Sequence, residues 1–196
     1  FPNGTGEVNQ AGLDYYQHVL DELKKYHIEP VATLFHFDLP AALQKQGGWA
    51  NRATIDAFVN YAKVVLDHFS PQITYYQTIN EQNMLFQGAV FAAFKGHGTF
   101  KDAVQANHNM FVAAAKVITY AHENHPEIKI GPAPNLVAIY PLTARPEDVL
   151  AANTYDSIRN LLFGDVTILG RYNHVAWHLF EQFHAAPDLA PDDMAT

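Results

Sequence analysis

The chain has 196 residues, of which 48% are hydrophobic and 13% aromatic, a composition typical of a protein with a packed core. The formal net charge is -8, from 20 acidic against 12 basic residues, and no basic cluster indicates nucleic-acid binding. No apolar run approaches the roughly 20 residues that span a bilayer. Absence of cysteine excludes disulfides and thiolate chemistry. We therefore expect a cytoplasmic protein without nucleic-acid or membrane partners.

Hydrophobic periodicity predicts alternating helices and strands along the first half of the chain. Apolar residues at helical spacing predict a helix from Leu13 to Leu23, and a β-rich run predicts a strand from Pro30 to Phe35. A second helix is predicted from Ile55 to Phe69, followed by a strand from Ile73 to Ile79.

The second half continues the same alternation. A loop is predicted next because the segment contains Gly88, Gly96 and Gly98. A helix follows from Asp102 to Asn124, and Thr99, three residues before Asp102, suits its N-terminus as in a capping box. The run from Ile128 to Asn135 predicts a third strand, and two further helices are predicted, at 146–163 and 171–184.

Helices that alternate with strands at these lengths predict an α/β protein with a parallel sheet. Such units suit part of a doubly wound sheet or part of a (β/α)8 barrel. A complete barrel needs about 250 residues, so the 196 residues of this chain are too few for all of its units. The pattern alone leaves both architectures open.

Polar residues follow two of the predicted strands. His36-Phe37-Asp38 comes after the first strand and Asn80-Glu81 after the second. In parallel α/β architectures, groups just past the carboxyl ends of the strands face the active-site side. Glu81 is therefore a candidate catalytic carboxylate. The pattern equally allows a structural role, in which Glu81 caps the following segment or pairs with a lysine.

Two histidine pairs have a spacing that can bind metal on a helix. They are His122 with His125 and His174 with His178. Neither pair carries the flanking glutamate of a zinc metalloprotease motif. We therefore favour solvated helix faces for both pairs, and no metal site is predicted.

Four motifs in fixed order make the chain similar to glycoside hydrolase family 1 along essentially its whole length. They are FPNG at Phe1–Gly4, HFDLP at His36–Pro40, GGW at Gly47–Trp49 and TINE at Thr78–Glu81. The resemblance implies an α/β fold that is part of a (β/α)8 TIM barrel. Residues 1–196 would be a single domain fragment with barrel strands 3 to 5 and their surrounding helices.

The resemblance also implies a function and a set of site residues. The family hydrolyses β-glycosides with retention of configuration by means of two glutamates, and Glu81 matches its general acid/base. His36 matches a histidine that binds sugar hydroxyls, and Asn80 an asparagine that holds the 2-hydroxyl. Asn135 is a looser match to an asparagine near the leaving group. No metal or organic cofactor is implied, because both catalytic groups are side chains.

One departure indicates a branch of the family. Many members have proline directly after the acid/base glutamate, whereas this chain has Gln82 and then Asn83. This run and the segment 140–166 resemble the branch that cleaves 6-phospho-β-glucosides, and Trp49 fits a phosphoglucosidase better than a phosphogalactosidase. The expected substrate is a small β-glucoside phosphorylated at the 6-position. The alternatives are an unphosphorylated β-glucoside and a non-catalytic sugar-binding or assembly module.

Several parts of the family pattern have no counterpart in the chain. They are the nucleophilic glutamate, an early glutamine that grips the sugar, and the Ser/Lys/Tyr group that binds the 6-phosphate. The first residue is Phe1 rather than Met, so we expect a piece of a longer protein. Three parallel strands would leave two open edges, which favours self-association. We expect the isolated chain to lack hydrolase activity.

Overall fold

The computed structural model describes residues 1–193 as three strands and eight α-helices. A 3-10 turn at Gly48–Ala50 follows α2, and a π-helical turn at Ser157–Leu161 separates α6 from α7. The elements in chain order are α1 (Gln10–Lys25), β1 (Val31–Phe35), α2 (Ala41–Lys45), α3 (Ala53–Phe69), β2 (Tyr75–Asn80), α4 (Gln82–Phe94), α5 (Phe100–Asn124), β3 (Lys129–Ala133), α6 (Pro146–Asp156), α7 (Leu162–Leu169) and α8 (His174–Gln182).

The three predicted strands and the helices α1, α3 and α5 are confirmed, with ends that differ by a few residues. The capping box of α5 is also confirmed. The Thr99 N–H donates to Asp102 Oδ2 at 3.0 Å, and the Asp102 N–H donates to Thr99 Oγ1 at 3.0 Å. The helix therefore begins where its local sequence supplies partners for its first N–H groups.

The prediction of a loop around Gly88 is wrong, because Gly88 lies inside α4. Glycine costs a helix about 1 kcal/mol relative to alanine, and burial of Phe86 on the same helix helps to offset that cost. Gly96 and Gly98, both at φ 83°, lie in the loop that follows.

The helix predicted at 146–163 is interrupted by the π-helical turn, and α7 then continues to Leu169. The helix predicted at 171–184 is shorter, because α8 begins only at His174. There the Asn173 side chain accepts a hydrogen bond from the Ala176 N–H at 2.8 Å and so caps the helix.

The sheet is parallel, with the strands in the order β1-β2-β3. Phe35 pairs with Ile79, and Asn80 pairs with Ala133. The carboxyl ends of all three strands therefore lie at one edge of the sheet. An α/β fold with a parallel sheet is confirmed.

The described residues form two compact units. The first contains Phe1–Asn80 and Val112–Ala133, and so holds the whole sheet. Its core includes three aromatic rings in edge-to-face contact, with centroids 5.4 Å apart for Phe35 and Trp49 and 5.5 Å apart for Trp49 and Phe58. Ala62 and Leu66 of α3 are fully buried.

The second unit contains Glu81–Phe111 and the described residues from Pro134 onward. Its core is built from α4, the first half of α5, α7 and α8. Phe180 and Leu162 are fully buried there, and the Phe86 ring lies 6.2 Å from the Phe163 ring. Across residues 1–193, no helix is both long enough and apolar enough to cross a membrane.

Candidate active site

The HFDLP motif forms a tight turn at the carboxyl end of β1. The His36 N–H donates to Asp38 Oδ1 at 2.9 Å, and Phe37 adopts a left-handed backbone with φ 67°. Pro40 stands at the N-cap of α2, where its missing N–H costs the helix nothing. The turn leaves the His36 side chain exposed to solvent.

Asn80 ends β2 beside His36. Because Phe35 pairs with Ile79, the residues that follow them, His36 and Asn80, lie at the same level at the edge of the sheet. Asn80 Nδ2 lies 3.3 Å from His36 Nε2, a distance at which the amide donates to an unprotonated ring nitrogen. The two predicted sugar-binding side chains are thus neighbours, and each keeps further donors or acceptors for a hydroxyl-rich ligand.

Glu81 follows Asn80 directly and has a strained backbone. Its φ of 44° and ψ of 47° lie in the left-handed region, which costs a residue with a Cβ about 1 kcal/mol or more. Its carbonyl accepts from the N–H groups of Met84 at 2.8 Å and Leu85 at 3.2 Å, so its backbone starts α4. Strain of this kind concentrates at functional sites.

The Glu81 side chain does not take the structural role that the sequence allowed. It makes no cap hydrogen bond to α4, and within residues 1–193 it forms no ion pair with a lysine. Instead, Asn135 Nδ2 donates to Glu81 Oε1 at 2.7 Å. The carboxylate is partly exposed, so one of its oxygens is held and the group remains accessible.

Asn135 is fastened from several sides, which sequence reasoning did not predict. Its N–H donates to Asn83 Oδ1 at 3.1 Å, and its carbonyl accepts from Asn83 Nδ2 at 2.7 Å. Arg159 donates to the carbonyl from Nη1 at 2.5 Å and to Asn135 Oδ1 from Nη2 at 2.8 Å. The arginine one residue after Ile158 and two residues before the apolar run Leu161–Phe163 was the signal that could have indicated a buried, hydrogen-bonded cation.

Gln82, in the position that often holds proline, tethers the start of α4 to α5. Its side chain is buried, and Nε2 donates to the Asn107 carbonyl at 3.1 Å and to Asn107 Oδ1 at 2.9 Å. A proline could not make these bonds, so this chain fixes the residue after Glu81 by side-chain hydrogen bonding.

Among residues 1–193, neither histidine pair is part of a group of three or more side chains placed to hold a metal ion. The solvated positions predicted for three of them are confirmed: His122, His174 and His178. The prediction is wrong for His125, whose side chain is 14% exposed. Because α5 ends at Asn124, His125 lies beyond the helix, 3.0 Å from Ser70 Oγ and 2.8 Å from Asp67 Oδ1.

A parallel sheet with polar side chains at its carboxyl edge is the arrangement in which α/β folds place their binding and catalytic groups. The profile of glycosyl hydrolase family 1 matches residues 1–196. The chain belongs to this family.

Relatives and solved structures agree with that assignment. The chain is 38% identical to the aryl-phospho-β-D-glucosidase BglC of Bacillus subtilis, over 99% of this chain and 41% of BglC. It is 39% identical to the 6-phospho-β-galactosidase of Staphylococcus epidermidis, over 88% of this chain and 37% of that protein. The structure of a family 1 β-glucosidase from Thermotoga maritima matches with a TM-score of 0.87 and 32% identity, over 99% of this chain and 44% of that one.

These matches favour the barrel over the doubly wound sheet, since the structural neighbours are family 1 glycosidases. The chain spans about two fifths of the length of the curated relatives it matches.

Proposed function

We propose that this chain carries the acid/base half of the active site of a retaining 6-phospho-β-glucosidase. In this proposal residues 1–196 are a single domain fragment, and β1, β2 and β3 are barrel strands 3, 4 and 5. The observation that carries the proposal is the Glu81 carboxylate, placed directly after β2 and held through Oε1 by Asn135 at 2.7 Å.

Glu81 acts in both steps of a retaining mechanism. As an acid it protonates the departing glycosidic oxygen, while a second carboxylate about 5–5.5 Å away attacks the anomeric carbon. As a base it then takes a proton from the water that releases the sugar. The second carboxylate is proposed to come from outside residues 1–196, so we expect the isolated chain to be inactive.

His36 and Asn80 bind the hydroxyls of the reacting sugar, and Asn80 contacts the 2-hydroxyl. Their separation of 3.3 Å lets both side chains reach adjacent hydroxyls of one ring. Hydrogen bonds to the 2-hydroxyl strengthen in the transition state. We therefore expect Asn80→Ala to lower kcat/KM by roughly 100-fold for the substrate that carries the 2-hydroxyl. For the matching 2-deoxy glucoside, which lacks this hydroxyl, we expect little effect on kcat/KM. An equal loss of kcat/KM for both substrates would show that Asn80 does not act through the 2-hydroxyl.

The phosphate at the 6-position is supported by the relatives. BglC and the staphylococcal galactosidase both act on phosphorylated sugars by name, at 38% and 39% identity. The run from Asn80 to Asn83 supports the phosphorylated branch, and Trp49 supports the glucoside over the galactoside. The alternative, a plain β-glucoside, is favoured by the likeness to the Thermotoga β-glucosidase. Matched aryl β-glucosides with and without the 6-phosphate separate the two.

The decisive experiment compares the full-length gene product with the isolated chain on both substrates. We expect turnover of the phosphorylated substrate by the full-length protein, its loss in Glu81→Gln, and no turnover by residues 1–196. Turnover by the isolated chain that Glu81→Gln abolishes would show that the second carboxylate lies within it. Sugar binding without turnover by the full-length protein would favour a non-catalytic module.

The open edges of the sheet support a further expectation for the isolated chain. Within residues 1–193, β1 and β3 each pair on one side, and Val31 of β1 is 59% exposed. Unpaired strand edges promote association. We propose that the chain alone self-associates, which sedimentation at several concentrations tests.

A further inference from the structure

Arg159 is a buried cation with an unusual set of partners. It is 4% exposed, and its guanidinium donates to two oxygens of Asn135 and, from Nη2, to Met84 Sδ at 3.3 Å. Across residues 1–193, no carboxylate forms an ion pair with it. Because a buried charge is costly unless its donors are satisfied, this placement requires that Asn135 keep its oxygens toward Arg159.

The guanidinium decides which way the Asn135 amide faces. Arginine has donors and no acceptor, so the atom of the amide that lies 2.8 Å from Nη2 must be oxygen. The NH2 group therefore faces Glu81 and donates to Oε1. Without Arg159 the amide could rotate by half a turn and present its oxygen to the carboxylate instead.

The Asn135 backbone is held independently of the Arg159 fork. Asn83, which is fully buried, binds both the N–H and the carbonyl of Asn135, at 3.1 and 2.7 Å. Loss of the Arg159 side chain would leave these two bonds in place. The main consequence of losing the Arg159 side chain is therefore that the Asn135 amide can rotate, and not that the loop moves.

The backbone around Arg159 supplies a second observation. Arg159 lies in the π-helical turn Ser157–Leu161, and such turns are rare and frequently found at functional sites. The next residue, Asn160, binds Val137 by donating from Nδ2 to its carbonyl at 2.7 Å and accepting from its N–H at 3.3 Å. Two consecutive residues of the turn thus hold the loop that follows β3.

We infer that Arg159 is a positioning residue that, through Asn135, directs the transferable proton of Glu81 to Oε2; this rests on the proposed acid/base role of Glu81. Because the Asn135 amide already donates to Oε1, a proton on that oxygen would face another hydrogen atom, which is unfavourable. The proton therefore resides on Oε2. It passes to the glycosidic oxygen as the bond to the anomeric carbon breaks, and the Asn135 hydrogen bond stabilises the carboxylate that remains. In the second step Oε2 takes a proton from the attacking water.

The test measures kcat/KM of the full-length gene product on aryl β-glucoside 6-phosphates, from dinitrophenyl to phenyl leaving groups. Poor leaving groups need the proton, and good ones do not. General acid catalysis is worth roughly 10²–10⁴-fold, so a mispositioned acid in Arg159→Met should lose roughly 10- to 100-fold on the phenyl substrate and under about 3-fold on the dinitrophenyl one. Arg159→Lys keeps the charge without the planar fork and should rescue part of the loss.

Asn160→Ala is the matched control, since it weakens the same turn without touching the Asn135 amide. It should lower kcat/KM by the same factor for every leaving group. The same uniform loss in Arg159→Met would make Arg159 structural and overturn the inference; if that variant does not fold, a uniform loss in Arg159→Lys overturns it.

The two proposals fail in different ways. A wild-type protein without turnover removes the proposed function, and this inference with it. A wild type that loses its turnover of the phenyl substrate in Glu81→Gln, but whose Arg159 variants show no added dependence on the leaving group, removes the inference alone.

Discussion

Two carboxylates in this chain sit in hydrogen-bonded networks of very different character. The strand-exit network joins Glu81 to Asn135, Asn83 and Arg159. The helix-end network joins Asp67, near the end of α3, to Tyr120 at 2.6 Å and to His125 at 2.8 Å, and His125 in turn to Ser70 at 3.0 Å.

The networks differ in the number of partners that contact the carboxylate. Asp67 Oδ1 accepts from Tyr120 and lies within hydrogen-bond distance of His125, so this network links α3 to the end of α5. Within residues 1–193, the Glu81 carboxylate accepts one hydrogen bond, from Asn135, and Asn83 and Arg159 bind Asn135 rather than the carboxylate. A carboxylate with a single donor is better suited to move a proton, and one held by two donors is better suited to hold structure.

Position along the strands agrees with this difference. Asp67, Ser70 and His125 precede the amino ends of β2 and β3, the side that serves stability in (β/α) folds. Glu81 follows the carboxyl end of β2. Substitutions in the first network should therefore change stability, and substitutions in the second should change activity.

The largest expected effect tests this division at Glu81. Glu81→Gln keeps the size of the side chain but cannot donate the proton that the proposed acid supplies. We expect kcat/KM of the full-length gene product to fall by roughly 10²–10⁴-fold for a phenyl leaving group, and far less for dinitrophenyl. Steady-state kinetics on both substrates measure it. An unchanged kcat/KM would mean that Glu81 is not the acid.

Asn83→Ala should give the next largest effect, because it removes the partner of the Asn135 N–H and one of the two donors to the Asn135 carbonyl. A buried backbone group left without a partner costs about 1–3 kcal/mol, and Asn83 is fully buried. We expect the free energy of unfolding to fall by about that amount, together with activity. Urea titration and kinetics on the same preparation measure both. Normal stability and activity would show that Arg159 alone suffices to hold Asn135.

Much of this arrangement could be predicted from the sequence. The alternation of helix and strand, the capping box at Thr99 and the strand-end positions of His36 and Glu81 depend on local pattern, and each was found. These features are local because hydrogen-bond partners in a capping box or a parallel strand end follow from spacing along the chain.

The rest depends on contacts between distant residues. Arg159 is 24 residues from Asn135 and 75 from Met84, and Asn83 is 52 residues from Asn135. No periodicity encodes such pairs. His125 was misplaced for the same reason, since its partners Asp67 and Ser70 lie 58 and 55 residues away. Gly88 was misplaced because packing of α4 outweighed a local preference.

His125→Ala probes the helix-end network with a smaller effect. It leaves the buried Ser70 hydroxyl without its partner and removes one of the two donors to Asp67. The loss of these bonds should lower the free energy of unfolding by about 1–2 kcal/mol, with kcat/KM unchanged. Urea titration and kinetics of the full-length gene product test it. A loss of activity with stability unchanged would reverse the division between the two networks.

The smallest effect is expected for Asp67→Asn, and its effect on the free energy of unfolding should depend on pH. Burial raises the pKa of Asp67, but hydrogen bonds from Tyr120 and His125 outweigh it, so the pKa lies below its ordinary value of 3.8. The hydrogen bond to Asp67, with burial, raises the pKa of Tyr120 above 10.0.

A lowered carboxyl pKa contributes stability above its unfolded value, and this is lost as pH falls through the folded pKa. A raised tyrosine pKa contributes below its unfolded value, and this is lost as pH rises through the folded pKa.

Asp67→Asn removes the charge on which both shifts depend. Because Asp67 is more than half exposed, we expect wild type to exceed the variant by under about 1 kcal/mol in free energy of unfolding near pH 7. The difference should shrink as the solution is acidified below 3.8 and again as it is made alkaline above 10.0. Urea titrations of both proteins across this range measure it. A difference independent of pH would mean that Asp67 acts through packing rather than charge, and the contrast with Glu81 would then rest on position alone.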